Sequence, residues 1–155
     1  MDIKLEGYDR LQQAFMQAPA MVEHDLRAWM ERTAAHLTDE ITAITPKKTG
    51  NLQQSIVPYI VPAGNLGVGA IIATPLNYAD PVEFGSKPHD IVPKGKGALH
   101  FIFNGIPINV KKVHHPGTKG HFMFKRAFDA NKDQIQASFN NMIDHVLFKI
   151  STGVA

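Results

Sequence analysis

Histidine is the residue type in this sequence with the most chemical promise. Eight occur in 155 residues, among them His89, His100, His114, His115 and His121 in the second half. Imidazoles at that density suggest metal binding or proton transfer near neutral pH. A metal site, however, needs three or four ligands converging at about 2 Å. His115 and His121 stand six positions apart across a glycine-rich segment, which is no helical ligand spacing. No His-Glu-x-x-His occurs, and Glu83 is the only glutamate in that half. Gly64-Asn65-Leu66-Gly67-Val68-Gly69 suggests phosphate binding, but its glycines are out of step with Gly-x-Gly-x-x-Gly. No helical pattern follows to aim an N-terminus at a phosphate. Gly95-Lys96-Gly97 lacks the upstream glycine and the Ser or Thr of a P-loop. Ser55 has no histidine or acid close in sequence. Cysteine is absent, which removes thiolate ligands, disulfides and a Cys nucleophile. No catalytic set, metal or cofactor is expected. A His-dependent metal hydrolase or nuclease is the enzymatic alternative, and a stoichiometric transition metal in the purified protein would favour it.

The elements that must position these residues follow from hydrophobic period. Asp9 with Gln12 three positions on reads as a helix start. Leu11 and Phe15 then share a face. Ala18-Pro19 interrupts this pattern, so a short first helix and a longer second one from Pro19 are expected. Val22, Leu26, Trp29, Met30, Thr33, Leu37, Ile41 and Ile44 form the stripe of the second, with Trp29 as its core anchor, and Pro46 stops it. Ser55–Val61 and Leu66–Thr74 read as a hairpin, the first strand demoted toward an edge or bulge by Pro58 and Pro62. Asn77–Phe84 reads as a tight turn or single helical turn, and Gly85–Gly97 as a long loop. Ala98–Phe103 and Ile106–Val113 flank the hairpin turn Asn104-Gly105. His114–Gly120 reads as loop. A last helix spans about Phe122–Ile150 with Phe124, Phe128, Ile135, Phe139, Met142 or Ile143, Val146 and Ile150 on one face, ended by Gly153. The expected class is α+β in a single domain over 1–155. N-terminal helices and a long C-terminal helix would pack on one face of an antiparallel sheet of about four strands.

Charge is uneven although the net is only +2. Acids outnumber bases from Met1 to Ile44. From Thr45 to Arg126, Lys47, Lys48, Lys87, Lys94, Lys96, Lys111, Lys112, Lys119, Lys125 and Arg126 face only Asp80, Glu83 and Asp90. Acidic helices and basic loops on one domain can complement each other between neighbouring copies. The lysines also suggest contact with DNA, and a basic DNA-binding accessory protein is a further alternative. No helical pattern carries a basic face, as a major-groove reader would need. No apolar run reaches a membrane span and the N-terminus lacks a signal-peptide layout, so residence in a cytoplasm without membrane contact is expected.

Three short motifs remain: Thr49-Gly50-Asn51-Leu52, Tyr78-Ala79-Asp80-Pro81-Val82-Glu83-Phe84-Gly85, and His115-Pro116-Gly117-Thr118. Gly50 suits a positive φ where helix gives way to sheet, and Thr49 and Asn51 suit bonds to local backbone. Val82 and Phe84 are expected to plug the core with Glu83 outside, and Pro116-Gly117 to turn the chain into the last helix. Pro46-x-x-Thr49-Gly50-x-Leu52-x-x-Ser55-Ile56 resembles a segment of tailed-bacteriophage neck and tail-completion proteins, the minor-tail-protein-Z-like group. Tyr78-Ala79-x-x-Val82-Glu83-Phe84-Gly85 is similar to a second segment of that group. His89-x-Ile91-x-Pro93-Lys94 with Ala98-Leu99-x-Phe101 is similar to a third, and His115-Pro116-Gly117-Thr118 with Phe122 to a fourth. Gln54 departs from the basic residue common there, and the Pro58 and Pro62 pair is unusual. The resemblance covers about Leu11–Ala130. It implies a non-enzymatic structural virion protein made in the host cytoplasm and acting at the head–tail junction as a homo-oligomeric ring. Its implied partners are head-completion or connector, tail-terminator or tail-tube proteins, with non-specific contact to packaged DNA.

Overall fold

The computed structural model describes residues 8–152 except 65, 66 and 96. Asn65 and Leu66, Lys96, Gly153 and the side chain of Leu11 lie outside the described residues. In chain order the elements are α1 (Tyr8–Ile44), α2 (Asn51–Ser55), β1 (Val57–Ala63), β2 (Gly67–Ala73), α3 (Ala79–Phe84), β3 (Gly85–Ser86), β4 (His89–Ile91), β5 (Leu99–Phe103), β6 (Ile106–Val110), β7 (Val113–His115), β8 (Thr118–Lys119) and α4 (Met123–Thr152). The class is α+β. The strands form four separate antiparallel pairs rather than one four-stranded sheet. Among the described residues no helix is long and apolar enough to cross a membrane. The chain divides into two units, residues 1–75 with 123–155, and residues 76–122.

The first unit is built on α1, which packs along α4 and against β2 and β1. The expected break at Ala18-Pro19 does not occur, and α1 runs through Pro19 as one helix of 37 residues. Proline removes one donor and crowds one carbonyl, a cost of about 3 kcal/mol that need not end a helix. Gln12, Gln13, Ala14, Met16, Gln17, Ala18, Ala20 and Met21 around it are strong helix formers. Trp29 stacks edge-to-face on Phe139 at 5.1 Å, and its Nε1 donates to Ser138 Oγ at 3.0 Å. Lys149 Nζ reaches Asp25 Oδ2 at 3.0 Å, a second tie between the helices. Buried positions of the two long helices include Ala14, Ala34, Ile41, Met123, Ala127, Asn131, Met142 and Val146, with Met123 wholly enclosed. Phe128, expected inward, is 55% exposed. Positions 123, 127 and 131 repeat every four residues, and Phe128 lies about 100° round the helix from Ala127. Asn131 is buried because its Nδ2 donates to the Ala127 carbonyl at 2.9 Å while its Oδ1 meets His36 Nε2 at 3.1 Å.

β1 and β2 pair in one register from Val57↔Ala73 to Ala63↔Gly67, without a bulge. Pro58 and Pro62 are four apart, so their missing donors fall on the same strand edge, as a strand with a single neighbour allows.

The second unit is a two-stranded ribbon. β3 pairs with β8 and β4 with β7, both on the same register: Gly85↔Lys119 and Ser86↔Thr118, then His89↔His115 to Ile91↔Val113. The ribbon breaks between Ser86 and His89, and between His115 and Thr118, where Pro88 and Pro116 lack the N–H a ladder needs. Both segments expected as loops, Gly85–Gly97 and His114–Gly120, thus supply strands to each other. Each strand, at two or three residues, is too short to carry a period of its own. β5 and β6 form the expected hairpin, with Asn104 at φ 49° and Gly105 at φ 81°, a left-handed pair that suits a two-residue connection.

Candidate functional site

The first motif closes one end of α1. Gly50 is buried at φ 85° and begins α2, a conformation that L side chains resist. The Gln54 N–H donates to the Gly50 carbonyl at 3.1 Å. Leu52 and Ile56 are buried below it. Ser55 Oγ donates to the Leu52 carbonyl at 2.8 Å and lies 2.7 Å from Thr74 Oγ1 just beyond β2. Thr49 Oγ1 is 3.5 Å from the Asn51 N–H, a long contact on an exposed turn. Two residues that sequence reasoning passed over complete the joint. Gln53 Nε2 donates to the Thr42 and Thr45 carbonyls at 3.1 and 3.2 Å, closing the C-terminus of α1. Buried Thr45 Oγ1 donates to the Ile41 carbonyl at 2.6 Å and lies 3.2 Å from Met123 Sδ at the start of α4. The signal for Gln53 was available, since a glutamine in a motif just past a helix end can satisfy orphan carbonyls.

The second and third motifs meet at the base of the ribbon. Tyr78 precedes α3, and the Val82 N–H approaches its carbonyl at 3.4 Å. The His121 N–H donates to the Val82 carbonyl at 2.9 Å, and the Phe122 N–H to the Glu83 carbonyl at 3.0 Å. Gly85 sits at φ 81°, where an added Cβ would stand 2.5 Å from the Thr118 carbonyl oxygen. A Cβ on Gly117 would fall 2.3 Å from the Ser86 oxygen. The side chains of Ser86 and Thr118 approach at 3.1 Å between their oxygens. Backbone against backbone is therefore what these glycines permit. The expected placement of Glu83 is reversed: it is 6% exposed and Phe84 68%. α3 is helical, so Ala79 and Glu83 share a face one turn apart and both are buried, while Phe84 is rotated off that face. Pro116-Gly117 also does not turn the chain into α4. It lies between β7 and β8, and the reversal comes at Gly120 to Phe122, with Phe122 at φ 50°.

His89, His100, His114 and His115 are placed along the ribbon and the β5–β6 hairpin. His89 and His115 are register partners with stacked rings, 5.0 Å between centroids. His89 Nδ1 donates to the Lys87 carbonyl at 2.9 Å, and His115 Nδ1 accepts the Gly117 N–H at 3.1 Å. His100 Nδ1 bonds to Asn109 Oδ1 across β5 and β6. His114 Nδ1 donates to Asp90 Oδ1 at 3.0 Å, and Lys112 Nζ meets Asp90 Oδ2 at 2.8 Å. These two hydrogen bonds, that of Lys112 first, hold the Asp90 carboxyl below its ordinary pKa. Among the described residues no group of three or more His, Asp or Glu is arranged to hold a metal ion.

The candidate contact lysines fall into two sets. Lys47 and Lys48 are exposed beside the first motif; Lys87, Lys94, Lys111, Lys112 and Lys119 are exposed on the second unit, Lys112 tied to Asp90. The chain matches no known family model, no curated protein and no solved structure.

Proposed function

We propose that this chain is a structural virion protein of a tailed bacteriophage, acting at the head–tail junction as a ring-forming neck or tail-completion subunit. The observation that carries the reading is the place of the motif residues. The segments Tyr78–Gly85 and His115–Thr118, 30 or more positions apart, meet where Gly85 lies against Thr118; beside that contact Gly117 abuts Ser86, and the Val82 and Glu83 carbonyls accept from the His121 and Phe122 N–H groups, which together anchor a ribbon. Gly50 and Leu52 set the start of α2, and the adjoining Gln53 closes the end of α1. Residues used to hold elements in place suit an assembly subunit better than a catalyst. The ribbon and its lysines supply surface for neighbouring copies, for the adjoining connector, terminator or tube proteins, and for packaged DNA.

A phage lacking this gene tests the reading. DNA-filled heads and separate tails, joined again when the protein is added back, are the expected result. Normal joined particles would sink it. Deleting Lys94–Gly97 should leave the fold intact and block joining.

A second reading, a DNA-binding accessory protein, is favoured by the charge of residues 76–122, which carry six lysines against Asp80, Glu83 and Asp90. DNA affinity that falls steeply with salt and is lost on Lys87→Glu with Lys119→Glu would support it.

A further inference from the structure

The β5–β6 hairpin has one wholly apolar face. Its register pairs Leu99 with Val110, Phe101 with Ile108 and Phe103 with Ile106. Direct partners share a face and successive residues alternate, so all six side chains lie on one side. The side is bare toward the turn, with Phe103 58% and Ile106 65% exposed. A two-stranded hairpin is marginal in water until such a face is covered. Elsewhere, the first unit holds an open apolar cleft of ≈ 400 Å³ between α1, β2 and α4. Met30, Thr33, Leu37, Ile72, Phe124 and Phe128 line it above a floor of Ala34 and Ile41. Roughly 150 Å³ of apolar space holds one benzene ring, so the cleft has room for about two large side chains.

We infer that the apolar face of the β5–β6 hairpin of one molecule seats in the α1–β2–α4 cleft of a second copy. Charge selects this pairing over the alternatives. α1 carries Asp9, Glu23, Asp25, Glu31, Asp39 and Glu40 against Arg10, Arg27 and Arg32. Residues 76–122 carry Lys87, Lys94, Lys96, Lys111, Lys112 and Lys119 against Asp80, Glu83 and Asp90. α4 carries Lys125, Arg126, Lys132 and Lys149 against Asp129, Asp133 and Asp144, so the two helices of the cleft are together net negative by two and the hairpin's unit is net positive by three. Hairpin against hairpin joins two positive units and cleft against cleft two helix pairs that are each net negative; of these pairings, hairpin into cleft alone joins opposite signs. A contact between two different surfaces propagates, closing into a ring or extending as a filament. The inference deepens the assembly reading above, yet its test uses purified protein without phage, so the two fail separately.

The absence of cysteine makes cross-linking clean. Phe103→Cys and Thr33→Cys, each made in the full chain, are mixed at high concentration and oxidised. The expected product is a dimer of about twice 17.1 kDa whose linked peptide joins position 103 to position 33. Sedimentation should show self-association that weakens as salt rises. Phe103→Asp and, from the other surface, Phe128→Asp should each weaken it about tenfold or more with unchanged circular dichroism. Links only between two copies of position 103, links only between two copies of position 33, or no association at the highest concentration would each overturn the proposal. So would association that strengthens with salt.

Discussion

A methyl group added at Gly85 would stand 2.5 Å from the Thr118 carbonyl oxygen and 2.7 Å from the Gly120 nitrogen, on a backbone at φ 81°. Gly85→Ala should therefore destabilise the ribbon by roughly 2–4 kcal/mol, strain and overpacking together. Gly105→Ala shares the φ of 81° but meets nothing within 4 Å, so only conformational strain of about 1–2 kcal/mol is expected there. Amide exchange across residues 85–119 separates the two. Carboxylates set the acid limb of stability. The His24 ring N–H, then the Lys149 ammonium, hold the Asp25 carboxyl below its ordinary 3.8 against opposing desolvation. A folded pKa below the unfolded one means stability that is present above 3.8 and lost as pH falls through the folded value. Asp90 acts in the same direction and window. Urea denaturation between about pH 2 and 7 should show Asp25→Asn less stable near neutrality with a flatter acid limb, the difference from wild type closing as pH falls. Loss of the same increment at every pH would refute the ionic origin.

At the scale of elements, α1 is the test of local propensity against a single breaker. Pro19 is exposed and inside the helix. Pro19→Ala restores one donor and relieves one clash, and should raise stability by about 1–3 kcal/mol in thermal or urea unfolding. No gain, or a loss, would mean that the proline conformation does work of its own in α1. The helices themselves are legible in the sequence. Trp29, Leu37 and Ile41 recur at spacings of three and four, and a period of 3.6 survives any tertiary context that buries one face. The β5–β6 hairpin is legible for the same reason, since Asn104-Gly105 is a local signal. The inward side of α3 is not. Over six residues helix and turn imply different faces, and that difference moved Glu83 inside and Phe84 out.

Across the whole molecule, burial is concentrated in the unit of α1, β1, β2 and α4. Ala79 and Glu83 are the buried residues between 76 and 122 among those described. Local opening follows buried contact, so amides of β4 to β7 should exchange well before those of α1 and α4. Exchange measured by mass spectrometry checks this, and equal protection in both units would contradict it. If copies seat hairpin in cleft, protection of residues 99–110 should rise with protein concentration.

Read alone, the sequence determined the α+β class, the amphipathic stripes of two long helices though not the continuity of α1 through Pro19, the two local hairpins and the positive φ at Gly50. All are set by neighbours within a few positions along the chain. Tertiary structure alone decided that 85–91 and 113–119 are one ribbon, that Gln53 closes α1, and that Glu83 is buried. The physical reason is distance along the chain: pairing Gly85 with Lys119 is a contact between residues that carry no periodic signal of their own. Backbone hydrogen bonds and the room left by glycine, rather than side-chain pattern, hold them together.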